Sequence, residues 1–417
     1  MPRIIAPADV PDLLRPGTTV YAPGAGGESP VFAAALQAAP DACRQVRFVG
    51  VWLPGINRID YAGLHPEARA TAFFVTRDMA ASHAAGRLTF LPMSYFETFR
   101  FLRERMRVDL AVLHTTPPDG EGLVSLGVAN DFTPAVVAQA ATRLAFVNHH
   151  MPPTRGAGRI RYSDLDYVVE ADAPLLSDDD LPDPAFDAIG RHIFGLIRDG
   201  DTIEVGIGRV QRIFAALAGK RDLRIHSGAI TAPLLRLVEA GGIAQGGDAI
   251  TTGIALGNAA LYRFVRDDPR VRFASVGWTH DIATLRAIPR FVAINSVIEV
   301  DLFGQANAET IDGRQVGAVG GLVDFIRGAF ASPGGRAIVA LPATARSGAV
   351  SKIVPSFAAG TPIGVTRGDM DTVVTEYGVA DLREKSIDER AAALIAVAAP
   401  QSRDDLSRAW SRLRARL

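Results

Sequence analysis

Ile197-Arg198-Asp199-Gly200-Asp201-Thr202-Ile203 leads through Val205 to Gly206 and Gly208, and then to Phe214-Ala215-Ala216-Leu217. The order is helix end, glycine turn, strand, glycine turn, helix. Glycines at such turns let the backbone bend sharply or approach a ligand closely. The first half of the chain repeats the order. Leu14-Arg15-Pro16-Gly17-Thr18-Thr19-Val20 is followed by Gly24, Gly26 and Gly27, and then by Phe32-Ala33-Ala34-Ala35-Leu36. One such match is weak, but two in the same order argue for two similar α/β units.

Between them, Leu176-Ser177-Asp178-Asp179-Asp180-Leu181-Pro182-Asp183-Pro184 is acidic and broken by prolines, the composition of a linker. The expected domains are therefore 1–180 and 185–417. Elsewhere short apolar runs alternate with helical spacings. Strands are expected at 46–49, 110–114, 144–148, 202–205, 223–226, 271–274, 291–294, 337–341 and 372–375. Helices are expected at 31–37, 134–141, 185–197, 210–218, 232–240, 259–266 and 388–398. Such alternation predicts an α/β fold with parallel or mixed sheets, whose ligands bind at the carboxyl ends of strands. The strand Leu223–His226 runs into Ser227 and Gly228, which places Gly228 at such an end.

Composition narrows the function. The chain has 417 residues, 48% of them hydrophobic and 21% charged, with a net charge of −1. That balance leaves no electrostatic footprint for nucleic acid or an anionic membrane surface. The lysines are Lys220, Lys352 and Lys385, so an anion site must use arginine, backbone N–H groups or one of these three. Cys43 is the sole cysteine, which excludes an internal disulfide. No apolar run approaches the roughly 18 residues of a membrane helix, and the N-terminus lacks the apolar core of a signal peptide. A soluble cytoplasmic protein is expected. His149-His150 are adjacent, a poor geometry for joint ligation, and no metal is expected.

The C-terminal half carries long specific blocks. These are Asn295-Ser296-Val297-Ile298-Glu299-Val300-Asp301-Leu302-Phe303-Gly304-Gln305-Ala306-Asn307-Ala308-Glu309, Val319-Gly320-Gly321-Leu322-Val323-Asp324-Phe325-Ile326-Arg327-Gly328-Ala329, and Val373-Val374-Thr375-Glu376-Tyr377-Gly378-Val379-Ala380 with Lys385-Ser386. Earlier come Pro117-Pro118-Asp119-Gly120-Glu121-Gly122 and Met151-Pro152-Pro153-Thr154. Together they resemble the acetyl-CoA hydrolase and 4-hydroxybutyrate CoA-transferase branch of the class I CoA-transferases, over nearly the whole chain. The resemblance implies two similar open α/β domains of the CoA-transferase type with the active site between them. It also implies a homodimer, coenzyme A as part of an acyl-CoA substrate or product, and a carboxylate partner.

In that family a strand ends in His-Ser-Glu or His/Tyr-Thr-Glu. Its glutamate attacks the thioester to give an acyl-glutamyl anhydride and then a glutamyl-CoA thioester. Here the strand continues His226-Ser227-Gly228, and glycine can form neither intermediate. Ala318 and Leu322 replace a glycine and a glutamine of the family's glycine turn, and Glu384 replaces the glycine before Lys-Ser. Among the other carboxylates, Glu299 and Glu309 read as structural, and Glu121 and Glu376 are further candidates.

Losing a covalent nucleophile costs several orders of magnitude in rate. Hydrolysis, or another reaction independent of that nucleophile, is thus expected over glutamyl-CoA exchange. The alternatives are an acyl-CoA lyase or decarboxylase in the same pocket, or a non-catalytic CoA-binding protein. The space above Gly228 is expected to hold two or three waters, at about 30 Å³ each. His226 would share its face with position 228 on a strand and would serve as base, although a core histidine is the plainer reading. The candidate catalytic set is His226, Gly228 and Glu299. The candidate CoA contacts are Gly206, Gly208, Val319, Gly320, Gly321, Leu322 and Lys352, with Arg367 a further phosphate partner.

Overall fold

The computed structural model describes residues 1–177 and 182–416. Within the acidic stretch read as a linker, 178–181 lie outside the described residues. The chain forms two compact units. One comprises Met1–Asp179, Ile250–Thr279 and Val316–Gly320; the other comprises Asp180–Ala249, His280–Gln315 and Gly321–Leu417.

The first unit is built on an eight-stranded sheet. Its order is Arg3–Ile4, Tyr167–Ala171, Thr142–Asn148, Leu110–Thr115, Thr19–Tyr21, Arg47–Gly50, Arg69–Ala72, Leu88–Phe90. Every pairing is parallel. Parallel sheets are covered on both faces, so their strands read as unbroken apolar runs. Leu110–Thr115 is such a strand, buried at every position.

In the second unit the order runs Thr372–Thr375, Arg336–Ala340, Phe291–Ser296, Thr202–Val205, Arg224–Thr231, with Gly378–Asp381 antiparallel on the far side of Thr372–Thr375. The five-strand series 5-4-3-1-2 is the order of Tyr167–Ala171, Thr142–Asn148, Leu110–Thr115, Thr19–Tyr21 and Arg47–Gly50 in the first unit. The repeated sequence segments supply the first strand of each series. In both, the order reverses beside that strand, which is where open α/β sheets offer a ligand site.

Helices follow local chemistry. Pro184–Leu196 starts where the Asp183 carboxylate accepts from the N–H groups of Ala185 and Phe186. Leu322–Ala331 turns Leu322, Phe325, Ile326, Gly328 and Ala329 inward, onto a core that includes Phe291, Ala293 and Val339. Burying Phe325 there contributes roughly 2–3 kcal/mol. A β-carbon on Gly328 would stand 2.5 Å from Leu285, so the helix packs closely at that point.

The structure moves some of the expected bounds. The strand expected at 223–226 extends from Arg224 to Thr231, so Gly228 lies inside it rather than at its end. The helix expected at 134–141 closes after Thr133–Val137. His149 and His150 stand in the turn after Asn148, where His150 Nε2 lies 2.8 Å from Asp172 Oδ1.

Candidate functional site

Strand Arg224–Thr231 presents His226 and Gly228 on one face, two residues apart. Ser227, on the other face, is anchored by its hydroxyl to the carbonyls of Val205 (3.1 Å) and Ala229 (2.8 Å). A β-carbon on Gly228 would meet the imidazole of His280, Cε1 at 2.9 Å and Nε2 at 3.1 Å. A β-carbon on Gly321 would meet the same ring, Nε2 at 2.5 Å and Cδ2 at 2.8 Å. The imidazole edge thus rests on two glycine backbones, and both positions exclude a side chain while it is there. The space expected to hold water above Gly228 is filled by this ring.

Three aromatic contacts fix the arrangement. His280 packs against Phe325 at 4.3 Å with the two rings tilted by 45°, Phe325 lies 6.2 Å from Phe291, and Phe291 meets the His226 ring edge-on at 6.1 Å. Both imidazoles are buried, at 6% exposure for His226 and 2% for His280. Burial first, and then the nearby charge of His226, push the His280 imidazole down to about 3. It is therefore neutral across the physiological range.

The glycine turn after Thr202–Val205 is stitched from within. The Gly206 N–H donates to the Ile294 carbonyl, at 2.9 Å, and so is not available to an oxyanion. A β-carbon on Gly206 would meet Asn295 Oδ1 at 2.3 Å. Gly208 has φ +89°, a conformation that glycine adopts without strain. Gln211, where a dinucleotide motif would have its third glycine, donates to the carbonyls of Val205 (2.6 Å) and Gly206 (3.0 Å) and accepts from Thr231 Oγ1. Beneath it, Asn295 Nδ2 donates to Glu204 Oε2 at 2.7 Å. Glu204 is buried, and burial lifts its carboxyl well above the usual carboxylate range despite the Asn295 and Ile294 hydrogen bonds.

Glu299 belongs to a different group. Its Oε1 accepts from Asn307 Nδ2 at 2.9 Å. Lys352, whose ammonium lies 3.5 Å from the Val297 carbonyl, feels the charges of Glu376, Glu299 and Asp183. Burial lowers the lysine and these carboxylates oppose that shift. Lys352 is thus surrounded by anions before any phosphate arrives. Arg367 is exposed. Leu322 is a core side chain.

Val319 and Gly320 belong to the first unit. Gly320, at φ +56°, accepts at its carbonyl from the Tyr95 N–H (3.0 Å), and a β-carbon there would meet Phe74 at 3.2 Å. Tyr95 makes edge contacts with Phe74 and Phe132. Burial raises the neighbouring Asp131 carboxyl to about 6. The glycine turn after Thr19–Tyr21 carries a further buried acid. Glu28 accepts from Asn57 Nδ2 (3.2 Å) and from the Tyr61 hydroxyl (3.4 Å), and burial lifts it to about 7.

The structure therefore gathers His226, Gly228 and Gly321 at one place and Glu299 with Lys352 at another. Sequence reasoning missed His280, Glu204 and Glu28. His280 sits in Trp278-Thr279-His280-Asp281, which matches no motif. The signal for Glu204 was present, as an acidic residue within a strand otherwise reading as buried.

Two α/β units with a repeated strand order, each with glycine turns at its reversal point, define a protein of the CoA-transferase fold. Comparison with known proteins agrees. Residues 2–176 match the acetyl-CoA hydrolase/transferase N-terminal domain and residues 257–410 the acetyl-CoA hydrolase/transferase C-terminal domain. The chain is 39% identical over 358 residues to the 4-hydroxybutyrate coenzyme A transferase of Clostridium kluyveri, covering 82% of each protein. Among solved structures it is similar to RipA from Yersinia pestis, with TM-score 0.90, 26% identity, and 99% and 98% of the two chains covered. It is also similar to the 4-hydroxybutyrate CoA-transferase of Porphyromonas gingivalis, with TM-score 0.81, 29% identity, and 100% and 98% covered. The chain belongs to the acetyl-CoA hydrolase/transferase family of enzymes.

Proposed function

We propose that this protein acts on a short-chain acyl-CoA thioester and releases coenzyme A by hydrolysis, without a glutamyl-CoA intermediate. The observation that carries the reading is Gly228: its α-carbon faces the His280 imidazole, and a glycine supplies no carboxylate of its own. Coenzyme A enters as part of the substrate and leaves as product. Water replaces the carboxylate as nucleophile, and His226 is the base that activates it. The reading places the enzyme in the cytoplasm as a homodimer.

Product analysis after incubation with a panel of short-chain acyl-CoA thioesters tests the reaction. Free acid and free CoA in equal amounts are expected. A shortened CoA thioester instead marks a lyase or decarboxylase. CoA binding without turnover marks a protein that has lost catalysis. Intact-mass analysis tests the intermediate: an acyl or CoA adduct on the chain means that another residue attacks, and the proposal is wrong.

A further inference from the structure

We propose that a cavity at the amino-terminal edge of the first unit's sheet binds a small organic cation, a primary ammonium on a short apolar stem. The cavity has a volume of about 170 Å³ and is lined by Leu13, Thr18, Asp109, Leu110, Thr142 and Tyr167. All six belong to that unit. No part of it is used by the acyl-CoA chemistry above. Open α/β sheets bind ligands at the carboxyl ends of their strands. This cavity lies at the other end of the six-residue strand Leu110–Thr115, ~20 Å away at about 3.3 Å per residue.

Three strands build the site. The Asp109 N–H donates to the Thr19 carbonyl at 3.0 Å, Asp109 Oδ2 accepts from the Thr19 N–H at 2.8 Å, and the Asp109 carbonyl accepts from the Thr142 N–H at 2.9 Å. The carboxylate is thus pinned where Thr19–Tyr21, Leu110–Thr115 and Thr142–Asn148 begin. Thr18 is fixed as well, its hydroxyl accepting from the Arg15 N–H at 3.0 Å. Groups held on strands need little ordering when a ligand arrives. Leu110 is buried, and Leu13 and Tyr167 pack against the core while staying partly exposed, which gives the cavity apolar walls.

The chemistry of the lining selects the ligand. Asp109 is its one charged side chain. Among the described residues this carboxylate has no ion-pair partner. The arginines beside the lining in sequence are engaged with main-chain carbonyls, Arg15 with those of Asp12 and Leu14, and Arg143 with those of Val137 and Asp164. An anion would meet the Asp109 charge head-on, whereas an ammonium meets it in a charge-assisted hydrogen bond. An ammonium has three donors, and the Thr142 and Tyr167 hydroxyls line the same cavity as acceptors. One carboxylate is too few ligands to hold a metal ion. Size sets the other bound. About 150 Å³ holds a benzene, and sites for drug-sized ligands run to about 300–1000 Å³. The cavity therefore takes an amine of a few carbons and not coenzyme A.

Calorimetric titration with n-butylammonium chloride at constant ionic strength tests the assignment, with 1-butanol as the neutral isostere. Butylammonium is expected to bind one site per chain with a Kd of about 0.1–1 mM, and 1-butanol at least about 10-fold more weakly. Asp109→Asn keeps an oxygen for the Thr19 N–H and removes the charge, and should weaken butylammonium by about 10- to 100-fold. Thr142→Leu fills the cavity without altering the carboxylate and should abolish binding. Equal affinity for amine and alcohol, or undiminished binding by Asp109→Asn, overturns the choice of a cation. Should neither variant fold, the methyl resonances of wild type decide. Those of Leu13, Thr18, Leu110 and Thr142 should move saturably with butylammonium while that of Leu394, in the other unit, stays put; unmoved lining methyls overturn the site. Nα-acetyl-lysine methylamide carries the same ammonium and stem on a peptide backbone. Weaker binding than butylammonium supports a free amine, and equal or tighter binding assigns the cavity to a lysine side chain and overturns it. None of these readouts involves turnover, so failure here leaves the acyl-CoA reading standing.

Discussion

At position 228 the missing side chain and the neighbouring ring are one feature. A glutamate introduced by Gly228→Glu would place its β-carbon 2.9 Å from a ring packed on Phe325. Such overpacking costs about 1–3 kcal/mol, and the carboxylate would point into the imidazole rather than at a substrate. The single variant should lose thermal stability and gain no CoA exchange. Gly228→Glu combined with His280→Gly removes the obstruction and should show exchange between an acyl-CoA and a carboxylate, read by the appearance of the second thioester. A single variant as stable as wild type and active in exchange would show that the ring does not hold this place. The glycine itself was visible as an anomaly in the sequence. Its consequence was not, because His280 is 52 residues further along the chain and only folding brings it there.

At the scale of elements, polar groups inside the sheet join neighbouring strands. Glu204 on Thr202–Val205 and Asn295 on Phe291–Ser296 share a buried hydrogen bond at 2.7 Å. Burial lifts the carboxyl well above the usual carboxylate range, in the direction of the protonated form, and Glu204→Gln removes the ionisable group while keeping an oxygen to accept from Asn295. Its stability should stay within about 0.5 kcal/mol of wild type, the ordinary scatter of substitutions that break nothing. Glu204→Leu leaves the Asn295 amide unsatisfied, at a cost of roughly 1–3 kcal/mol. Denaturant midpoints of the two variants at neutral pH measure the difference; equal losses would mean that the hydrogen bond carries nothing.

The turn between Gly378–Asp381 and helix Ile387–Ala396 makes the reverse case. Glu384 has φ +55°, left-handed backbone that a non-glycine residue holds at a cost of about 1–2 kcal/mol. The resemblance had shown glycine at that position in the family, and the backbone angle gives the reason. Glu384→Gly should raise stability, by about 0.5–1 kcal/mol after glycine's greater unfolded entropy is counted. A fall in melting temperature would show that the glutamate side chain contributes more than its backbone costs. The helix itself was legible in advance from its helical spacing, and the structure shows a local cap in which Ser386 and Glu389 satisfy one another's backbone N–H groups.

At the scale of the whole molecule, what was legible had a repeated or local origin. The two glycine-turn segments foretold a duplicated architecture, and the matching 5-4-3-1-2 strand orders follow from it. Strands such as Thr202–Val205 and Thr372–Thr375 showed as short apolar runs. Arg69–Ala72 and Leu88–Phe90 did not, since neither has enough apolar residues in sequence to separate it from a loop.

The buried acids were also hidden, because their surroundings come from distant segments. Glu28 meets Asn57 and Tyr61, and through Asn57, whose side chain also binds the N–H and carbonyl of Ala25, its state bears on the glycine turn. Its carboxyl is raised from 4.5 to about 7, chiefly by burial. The native state therefore holds more protons than the unfolded chain between those values, and stability falls as pH rises through that window. The full shift corresponds to roughly 3 kcal/mol. His114 acts in the opposite sense. Burial depresses it from 6.5 to about 4, so stability rises with pH between about 4 and 6.5. In wild type the two slopes partly cancel. Glu28→Gln removes only the falling one. Relative to wild type it should gain stability steadily from pH 4.5 to 7, read as the difference between melting temperatures at each pH. A difference that stays constant over this range would mean that Glu28 does not titrate there in the folded protein.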